Sequence, residues 1–377
     1  MRLLHPSGSV VHLAYCTNVH PAEDLAGIHE QLSGVAARVR ALTGAPVLGL
    51  GLWLSSGAAR ALRADPAELA RLRARLDELG LEVVTLNGFP YQGFHDQVVK
   101  LRVYRPDWAE PQRLAYTLDL AEILTALLPD DVTEGSISTL PLAWRAGWTP
   151  DKAAAVAANL DALTQGLRAL AERTGKTIRV GFEPEPGCIV ETTPQAVELL
   201  AGTDPAHLGV CLDACHLAVG FEEAADAAGL GLPIVKLQVS SAVEAPPGGQ
   251  RALAAYEEER YLHQTRCAAG YADDLPEALA GGLPADLPWR THFHMPLHAA
   301  PPPPLTTTTP YLEELLGRLM TPDGDLAAPL TAPLTRHLEV ETYTWSVLPG
   351  PVDVAEGIAA ELDWTRRRLA ALGLKEI

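Results

Sequence analysis

Acidic residues follow two apolar runs in the middle of the chain, at the point where each run ends. The run IRVGF leads directly into Glu183 and Glu185, and the run LGVCL leads into Asp213, with His216 three residues later. A segment of helical character with a Thr-Pro start signal lies between the two runs. Carboxylate oxygens and imidazole nitrogens are ligands of divalent cations, so this order of residues predicts part of a metal site.

Two later runs carry the same ligand types. THFHMPL contains His292 and His294, and HLEVETYTW contains Glu339 and Glu341. The members of each pair share a strand face, and the later member lies nearer the carboxyl end of its strand. We therefore expect an O/O/N/O site suited to Mn²⁺, Zn²⁺, Co²⁺ or Mg²⁺, with the ligands Glu183, Asp213, His294 and Glu341.

Strand-like runs alternate with helix-compatible segments along most of the chain. The first seven candidate strands cover about 10–18, 47–55, 81–90, 135–142, 178–183, 208–213 and 233–242. Candidate helices lie near 23–42, 66–79, 111–128 and 149–173. Two more strand candidates, 290–297 and 337–348, make nine for the eight strands of a TIM barrel, so one of these two is predicted to be an insertion or edge strand.

The competing architecture is an open, doubly wound sheet, which carries a glycine-rich phosphate turn after its first strand. The corresponding stretch here, CTNVHPAED, contains no glycine. The sequence therefore predicts a single domain over residues 1–377, an α/β TIM (β/α)8 barrel with an insertion at approximately 243–335 before the last strand. Helices are expected near 252–265 in this insertion, near 310–319, and at 352–372.

Composition limits the function classes. The 377 residues are 47% hydrophobic and carry a formal charge of −18, which repels phosphate backbones and argues against nucleic-acid binding. No membrane span or secretory signal is apparent, so a cytoplasmic protein that binds a small-molecule metabolite is expected, and assembly into a homo-oligomer stays open. Reduced thiols rather than disulfides are expected for the scattered cysteines Cys16, Cys188, Cys211, Cys215 and Cys267.

With these residues in place, the chain resembles the xylose isomerase-like TIM barrels, the sugar phosphate isomerase/epimerase and type-IV endonuclease superfamily. More closely, it resembles the metabolite traffic protein EboE family. The resemblance runs from residue 12 to residue 348 and is carried by HLAYCTNVHP, TLNGFPYQGFH, VVKLRVYRPDW, EGSISTLPL, GFEPEPGC, CLDACHLAV, KLQVSSA, RYLHQ, HFHMPL and HLEVETYTW.

The resemblance implies a metal surrounded by a Glu after strand five, an Asp and a His after strand six, a His on strand seven and a Glu on strand eight. The matching positions are Glu183, Asp213 with His216, and Glu341. The chain departs from this pattern at strand seven, where Gln238 stands in place of the histidine. Either Gln238 binds the metal through its carbonyl oxygen, or His294 replaces the missing imidazole. A site that binds metal poorly would suit a binding protein.

The leading hypothesis is a metal-dependent isomerase or epimerase of a small sugar- or polyol-like metabolite. Glu183 and Glu341 are candidates for combined ligand and base roles, and His216 for orienting or protonating a substrate oxygen. Alternatives are a non-catalytic metabolite-binding or trafficking component and, disfavoured by the charge, a metal-dependent phosphoesterase. Substrate contacts are expected from His12, Asn87, His95 on a possible lid, Glu185, Ser240 and His292.

Each of these sequence features also has a purely structural interpretation. FEPEP fits a solvated turn, and Asp213 with His216 fits a helix cap. The histidines of THFHMPL fit a strand in which they bond to the backbone, and HLEVETYTW fits an edge strand with its acids in solvent. These interpretations compete separately, and a soluble barrel would not place so many acids and histidines in buried runs without compensation.

Overall fold

The computed structural model describes residues 1–321, 332–350 and 352–377. Its central feature is a closed barrel, because the last parallel strand pairs with both the seventh and the first. The chain therefore folds as the predicted TIM barrel. The eight strands are β1 (Val10–Cys16), β2 (Leu48–Trp53), β3 (Leu81–Asn87), β4 (Glu134–Thr139), β5 (Thr177–Phe182), β6 (Leu208–Asp213), β7 (Ile234–Val239) and β8 (His337–Val340).

Helices pack around the outside of the barrel and bury the outward faces of these strands. Asp65 accepts the backbone N–H groups of Ala67 and Glu68 at the start of one helix, and Gly80 ends it in a left-handed conformation. The helices are Leu25–Gln31, Leu32–Ala36, Ala37–Thr43, Ser56–Ala64, Pro66–Leu79, Pro111–Leu127, Pro150–Thr174, Thr193–Leu200, Ala214–Val219, Ala224–Ala228, Leu275–Glu277, Ala278–Gly282, Thr309–Met320 and Val354–Ala371. Short 3-10 helices cover Thr17–Val19, Lys100–Tyr104, Gln250–Tyr256 and Tyr343–Ser346.

The two ends of the chain meet beside β1. Arg2–Leu4 pairs antiparallel with β1, and Lys375–Glu376 pairs antiparallel with Arg2–Leu4. None of the helices in the described ranges combines the length and the apolar character that crossing a membrane requires.

A second, smaller sheet lies between β7 and the helix Thr309–Met320. It is antiparallel throughout and consists of Val243–Ala245, Thr265–Cys267, Gly270–Ala272, Trp289–Thr291 and Thr306–Thr307. It has its own apolar cluster, in which Leu253, Trp289 and Phe293 are buried. The single domain over residues 1–377 and the bounds 243–335 of its insertion stay predictions. Residues 322–331 of that range lie outside the described residues.

Two predictions within this segment were wrong in detail. The helix expected at 252–265 is only the short 3-10 helix up to Tyr256, because the Glu258 carboxylate accepts the backbone N–H groups of Arg260 and Tyr261 and holds the chain in a turn. The strand expected at 290–297 is limited to Trp289–Thr291. Of the last two strand candidates, the later one therefore closes the barrel.

A charged pair lies inside the barrel. Lys236 on β7 and Glu339 on β8 form a salt bridge, and both side chains are fully buried. Lys236 Nζ also lies 3.4 Å from the Leu86 carbonyl oxygen and from Ser138 Oγ. Burial lowers the pKa of Lys236, but the Glu339 carboxylate outweighs that effect and the pKa lies above its usual range. Lys236 is therefore protonated at neutral pH.

Gly51 on β2 makes room for this pair. A Cβ atom at position 51 would lie 1.2 Å from Glu339 Oε1. We expect Gly51→Ala to lower the free energy of unfolding by about 1–3 kcal/mol or more, because Glu339 must leave Lys236 or the strand must shift. Chemical denaturation of both proteins measures this difference.

Gly317→Ala is the matched control. Position 317 lies in the helix Thr309–Met320, and within the described ranges nothing comes within 4 Å of a Cβ placed there. This variant should gain up to about 1 kcal/mol from helix propensity. Equal effects of the two substitutions would contradict the packing that we describe around Glu339.

Candidate functional site

Three carboxylates meet at the mouth of the barrel, which is the end formed by the carboxyl ends of β1–β8 and the loops after them. Glu183 follows β5, Asp213 is the last residue of β6, and Glu341 follows β8. Each offers an oxygen within 4.8 Å of the oxygens offered by the other two. All three residues are buried, with exposed fractions of 3%, 0% and 5%. The predicted acidic ligands are thus brought together.

In two of the three acids, one carboxylate oxygen accepts hydrogen bonds from neighbouring groups. Asn18 Nδ2 donates to Glu341 Oε1 at 2.6 Å, and Asn87 Nδ2 donates to the same atom at 3.0 Å. The His216 backbone N–H and Ser240 Oγ donate to Asp213 Oδ1 at 3.0 and 2.7 Å. Asp213 Oδ2 and Glu183 Oε2, by contrast, are buried without a hydrogen-bond partner among the described residues. These are the oxygens that remain available to a cation.

The three acids repel one another. Burial, together with the charges of Glu341 and Asp213, raises the pKa of Glu183 well above its usual range. Burial and the charges of Asp213 and Glu339 raise the pKa of Glu341 in the same way. Like charges at this separation in a low-dielectric site cannot all ionise without compensation. A divalent cation would provide that compensation, and the donor set fits one.

His294 lies beside the carboxylates in the ligating form of imidazole. Its Nδ1–H donates to the Glu341 carbonyl oxygen at 2.7 Å, which leaves a lone pair on Nε2. That Nε2 is 3.8 Å from Asp213 Oδ2 and has no hydrogen-bond partner among residues 1–321, 332–350 and 352–377. Burial lowers the pKa of His294 to about 4, so the ring is neutral at pH 7.

Gln238, the other candidate for the fourth ligand, is on β7. It pairs in register with Asp213 on β6 and with Glu339 on β8. It is fully buried, and neither its amide oxygen nor its amide nitrogen has a hydrogen-bond partner in the part of the chain that the structure describes. Such an orphaned amide is costly, so its position next to the acids is also compatible with ligation.

A second group of ligand types adjoins the first. Glu185, His216 and His292 offer ligand atoms within 4.8 Å of one another. The Nε2 atoms of His216 and His292 face each other at 3.1 Å. Tyr104 Oη donates to Glu185 Oε1 at 2.6 Å and holds that carboxylate in place.

A cavity opens above both groups and has walls of two kinds. Its polar lining includes Asn18, Asn87, Glu183, Glu185, His216, His292, His294 and Glu341. Its upper wall is largely apolar and is formed by Phe89, Phe94, Val99, Val103, Leu262 and Tyr343. A small molecule with several oxygens could bind the polar lining and place an apolar face against this wall.

Only some of the predicted substrate contacts line the cavity. Asn87, Glu185 and His292 line the cavity. Ser240 instead positions Asp213, since its hydroxyl donates to that carboxylate. His95 lies beside the cavity, where its Nε2 is 2.7 Å from the Asn18 carbonyl oxygen.

His12 requires a correction. It is near the start of β1, paired in register with His337, the first residue of β8, and its Nδ1 is 3.5 Å from Glu82 Oε1. Because the rise per strand residue is about 3.3 Å, four residues of β1 separate it from the mouth by roughly 13 Å. His12 therefore lies at the opposite end of the barrel from the acids, and the structure gives it no place in the site.

Several residues at the site were not predicted. Tyr104 and Gln264 hold Glu185 and His292, Tyr343 packs against His294, and Lys236 lies in the barrel. Tyr104 ends a short 3-10 helix and Gln264 stands in an irregular segment, and in neither does a periodicity mark the residue as functional. The only available signal was that they belong to VVKLRVYRPDW and RYLHQ, two stretches that carry the family resemblance.

Comparisons with known proteins agree with the architecture. The sequence profile of the family described as "Xylose isomerase-like TIM barrel" matches residues 43–276. A D-tagatose 3-epimerase-like protein superposes with a TM-score of 0.53 at 12% identity, covering 96% of this chain and 98% of that one. No curated protein matches the chain in sequence.

Two further solved structures are similar. D-psicose 3-epimerase with D-tagatose from Clostridium cellulolyticum H10 has a TM-score of 0.52 at 13% identity, covering 95% of this chain and 99% of that one. An L-ribulose 3-epimerase has a TM-score of 0.51 at 11% identity, covering 96% and 95%. At such identities these similarities show the fold alone.

The raised pKa of Glu183 predicts a pH-dependent effect of its replacement in the ion-free protein. A carboxyl whose pKa is higher in the folded state binds more protons folded than unfolded, so raising the pH above about 4.5 destabilises the folded protein. Glu183→Gln removes this penalty. The free energy of unfolding of Glu183→Gln minus that of wild type should therefore increase between about pH 5 and about pH 8. The increase is about 1.4 kcal/mol for each pH unit that lies between the unfolded and the folded pKa of Glu183.

Urea denaturation with a chelator at several pH values measures this difference. Comparing the variant with wild type at each pH cancels the contributions of the buried histidines. The neutral surface substitution Ser33→Ala serves as the control and should show a constant difference. A Glu183→Gln difference that is flat or falls with pH would contradict the charge repulsion inferred for the three acids.

Proposed function

The chain belongs to the xylose isomerase-like TIM barrel family, and from that premise we propose that it is a metal-dependent isomerase or epimerase of a small sugar- or polyol-like metabolite. One observation carries the proposal. Glu183, Asp213 and Glu341 converge in a buried site whose unpartnered oxygens and adjacent neutral imidazole form a donor set for a divalent cation.

The residues that would hold the cation are Glu183, Asp213, Glu341 and His294. When bound, the ion supplies Lewis-acid polarisation of a substrate carbonyl and neutralises the acids. Glu183 and Glu341 are the candidates for proton transfer. They follow β5 and β8, which are not neighbours in the barrel, so they approach a bound substrate from different positions around the ring. One of them removes a proton from the carbon next to the carbonyl, and that proton or one from its partner returns to the same or the neighbouring carbon.

The other polar groups position these bases. Asn18 and Asn87 fix Glu341 Oε1, so the second oxygen of that carboxylate is directed by two donors. Burial at the mouth limits access of water to a substrate carbanion. The solved structures with TM-scores above 0.5 carry the names of sugar epimerases, and the proposal accords with those names.

Within the superfamily, we place the chain in the metabolite traffic protein EboE family, on the stretches that resemble it. We also propose a cytoplasmic location, since the five cysteines are free and buried, as is usual where thiols stay reduced. That family name favours a second candidate function, in which the mouth holds a metabolite without converting it. Gln238 is the observation that supports this candidate, since an uncharged amide replaces the imidazole expected on strand seven.

Replacing either acid should abolish retention of the ion. We expect Glu183→Ala and Asp213→Ala to retain no Mn²⁺ after gel filtration, because each removes one of the three charged ligands of the proposed site. Elemental analysis measures the bound metal, and circular dichroism confirms folding. Full retention by both variants would exclude the carboxylate site and the function built on it.

Turnover is tested by proton exchange with solvent. Mn²⁺-loaded wild type should incorporate deuterium from D₂O next to the carbonyl of a ketose or keto-polyol, as detected by mass spectrometry after quenching with a chelator. Glu183→Gln should incorporate at least about 10²-fold less, as expected when a general base is lost. A compound that binds Mn²⁺-loaded wild type but acquires neither deuterium nor a new configuration would favour the binding function.

The fourth ligand can be identified by comparing His294→Ala with Gln238→Ala. Since the Glu341 carbonyl directs a lone pair of His294 toward Asp213, we expect His294→Ala to weaken Mn²⁺ binding by more than the roughly 10–100-fold typical of outer-shell partners. Gln238→Ala should weaken it less. Isothermal titration of the ion-free proteins measures both, and the reverse order would assign the position to Gln238.

A further inference from the structure

The rings of His216 and His292 are held in an unusual mutual arrangement. His216 Nδ1 is 3.0 Å from the Pro184 carbonyl oxygen, which only accepts, so this nitrogen carries the proton and donates. His292 Nδ1 is 2.8 Å from Gln264 Oε1. The orientation of Gln264 follows from its Nε2, which donates to the Pro186 carbonyl oxygen at 3.0 Å. His292 Nδ1 is therefore also a donor.

Both Nε2 atoms consequently present lone pairs at a separation of 3.1 Å, with the two ring planes inclined at 77°. Two lone pairs this close repel unless a proton or a cation lies near both of them. Two nitrogens bound at about 2.1 Å to one ion are roughly 3.0 Å apart for a 90° angle and roughly 3.4 Å apart for a tetrahedral angle. The observed separation matches the range for a shared ion.

A carboxylate completes this group. Glu185 offers a carboxylate oxygen within 4.8 Å of the ligand atoms offered by His216 and His292. Its Oε1 accepts from Tyr104, whereas its Oε2 is buried without a hydrogen-bond partner among the described residues. Glu185 is 4% exposed, His216 6% and His292 5%, so none of the three obtains its missing partner from bulk water.

We propose that His216, His292 and Glu185 form a second cation site, separate from the carboxylate site, that selects a borderline divalent ion such as Zn²⁺ or Co²⁺. Two imidazoles and one carboxylate favour these ions over Mg²⁺, which prefers oxygen donors. The two sites adjoin at Asp213, whose Oδ2 is 4.0 Å from His216 Nε2. This assigns His216 a ligand role in place of the role suggested from the sequence, in which it orients or protonates a substrate oxygen.

The proposal also gives the segment after β7 a function. His292 and Gln264 both belong to that segment, and the His292 backbone N–H donates to the Gln264 carbonyl oxygen at 2.8 Å. The barrel alone supplies only His216 and Glu185. The second site is therefore complete only when this segment folds over the mouth.

Cobalt stoichiometry tests the proposal without relying on activity. Ion-free protein is loaded with Co²⁺ and freed of excess by gel filtration, and cobalt is counted by elemental analysis. Wild type should hold two equivalents, His292→Ala one, and Glu183→Ala one. The matched control is His298→Ala, which replaces an exposed histidine of the same segment. This variant should hold two equivalents of cobalt. Circular dichroism and the unfolding temperature of the ion-free proteins verify that the variants fold.

Each outcome separates this proposal from the proposed function. One equivalent in wild type that His292→Ala keeps and Glu183→Ala loses would overturn the second site, leave the carboxylate site intact and assign a shared proton to the histidine pair. One equivalent that His292→Ala loses and Glu183→Ala keeps would support the second site and contradict the first. No bound cobalt in wild type would overturn both. The wild-type count holds even where a variant fails to fold.

Discussion

The structure depends above all on negative charge confined at one end of a closed barrel. Four carboxylates, those of Glu183, Asp213, Glu339 and Glu341, lie buried on the ends of β5, β6 and β8. Lys236 compensates one of them through its salt bridge with Glu339. The remaining three have no cationic side chain of Lys or Arg against them among the described residues. A cation at the mouth would restore the balance, and metal binding would then be linked to folding stability.

Closure of the barrel is what makes the site possible. Asn18, after β1, donates to Glu341, after β8, and these residues are 323 positions apart in the chain. The two strands are brought side by side only by the last parallel pairing. Gly51 contributes from β2, since the space that a side chain would occupy there is taken by Glu339. The orientation of Glu341 is therefore set by its neighbours around the ring rather than by its own loop.

The barrel and its acids could be read from the sequence because parallel strands buried on both faces appear as continuous apolar runs that end in the functional residue. Glu183 and Asp213 follow this rule, whereas the strand before Glu341 also contains His337 and Glu339. The segment after β7 does not follow the rule, since its strands of two or three residues are too short for a period and His292 and His294 stand outside them. Their contacts depend on long-range packing, as in the bond from Met295 to Ser241 at the end of β7. For His12 the strand was predicted correctly. Its position along that strand was not, because the residue lies near the start of β1, away from the mouth.

The departure at Gln238 and the segment that follows it can be understood as one feature. At strand seven the chain offers an amide where an imidazole is expected, which alone would leave a site of three carboxylates without a nitrogen donor. Immediately afterwards it leaves the barrel, builds a small antiparallel sheet and returns His292 and His294 to the same end. The Glu341 carbonyl orients His294 toward Asp213, and Gln264 orients His292 toward His216. Because each ring receives its tautomer from a fixed acceptor, the imidazoles are preorganised as ligands. In the proposed assignments, the segment would replace the missing nitrogen donor and add a second one.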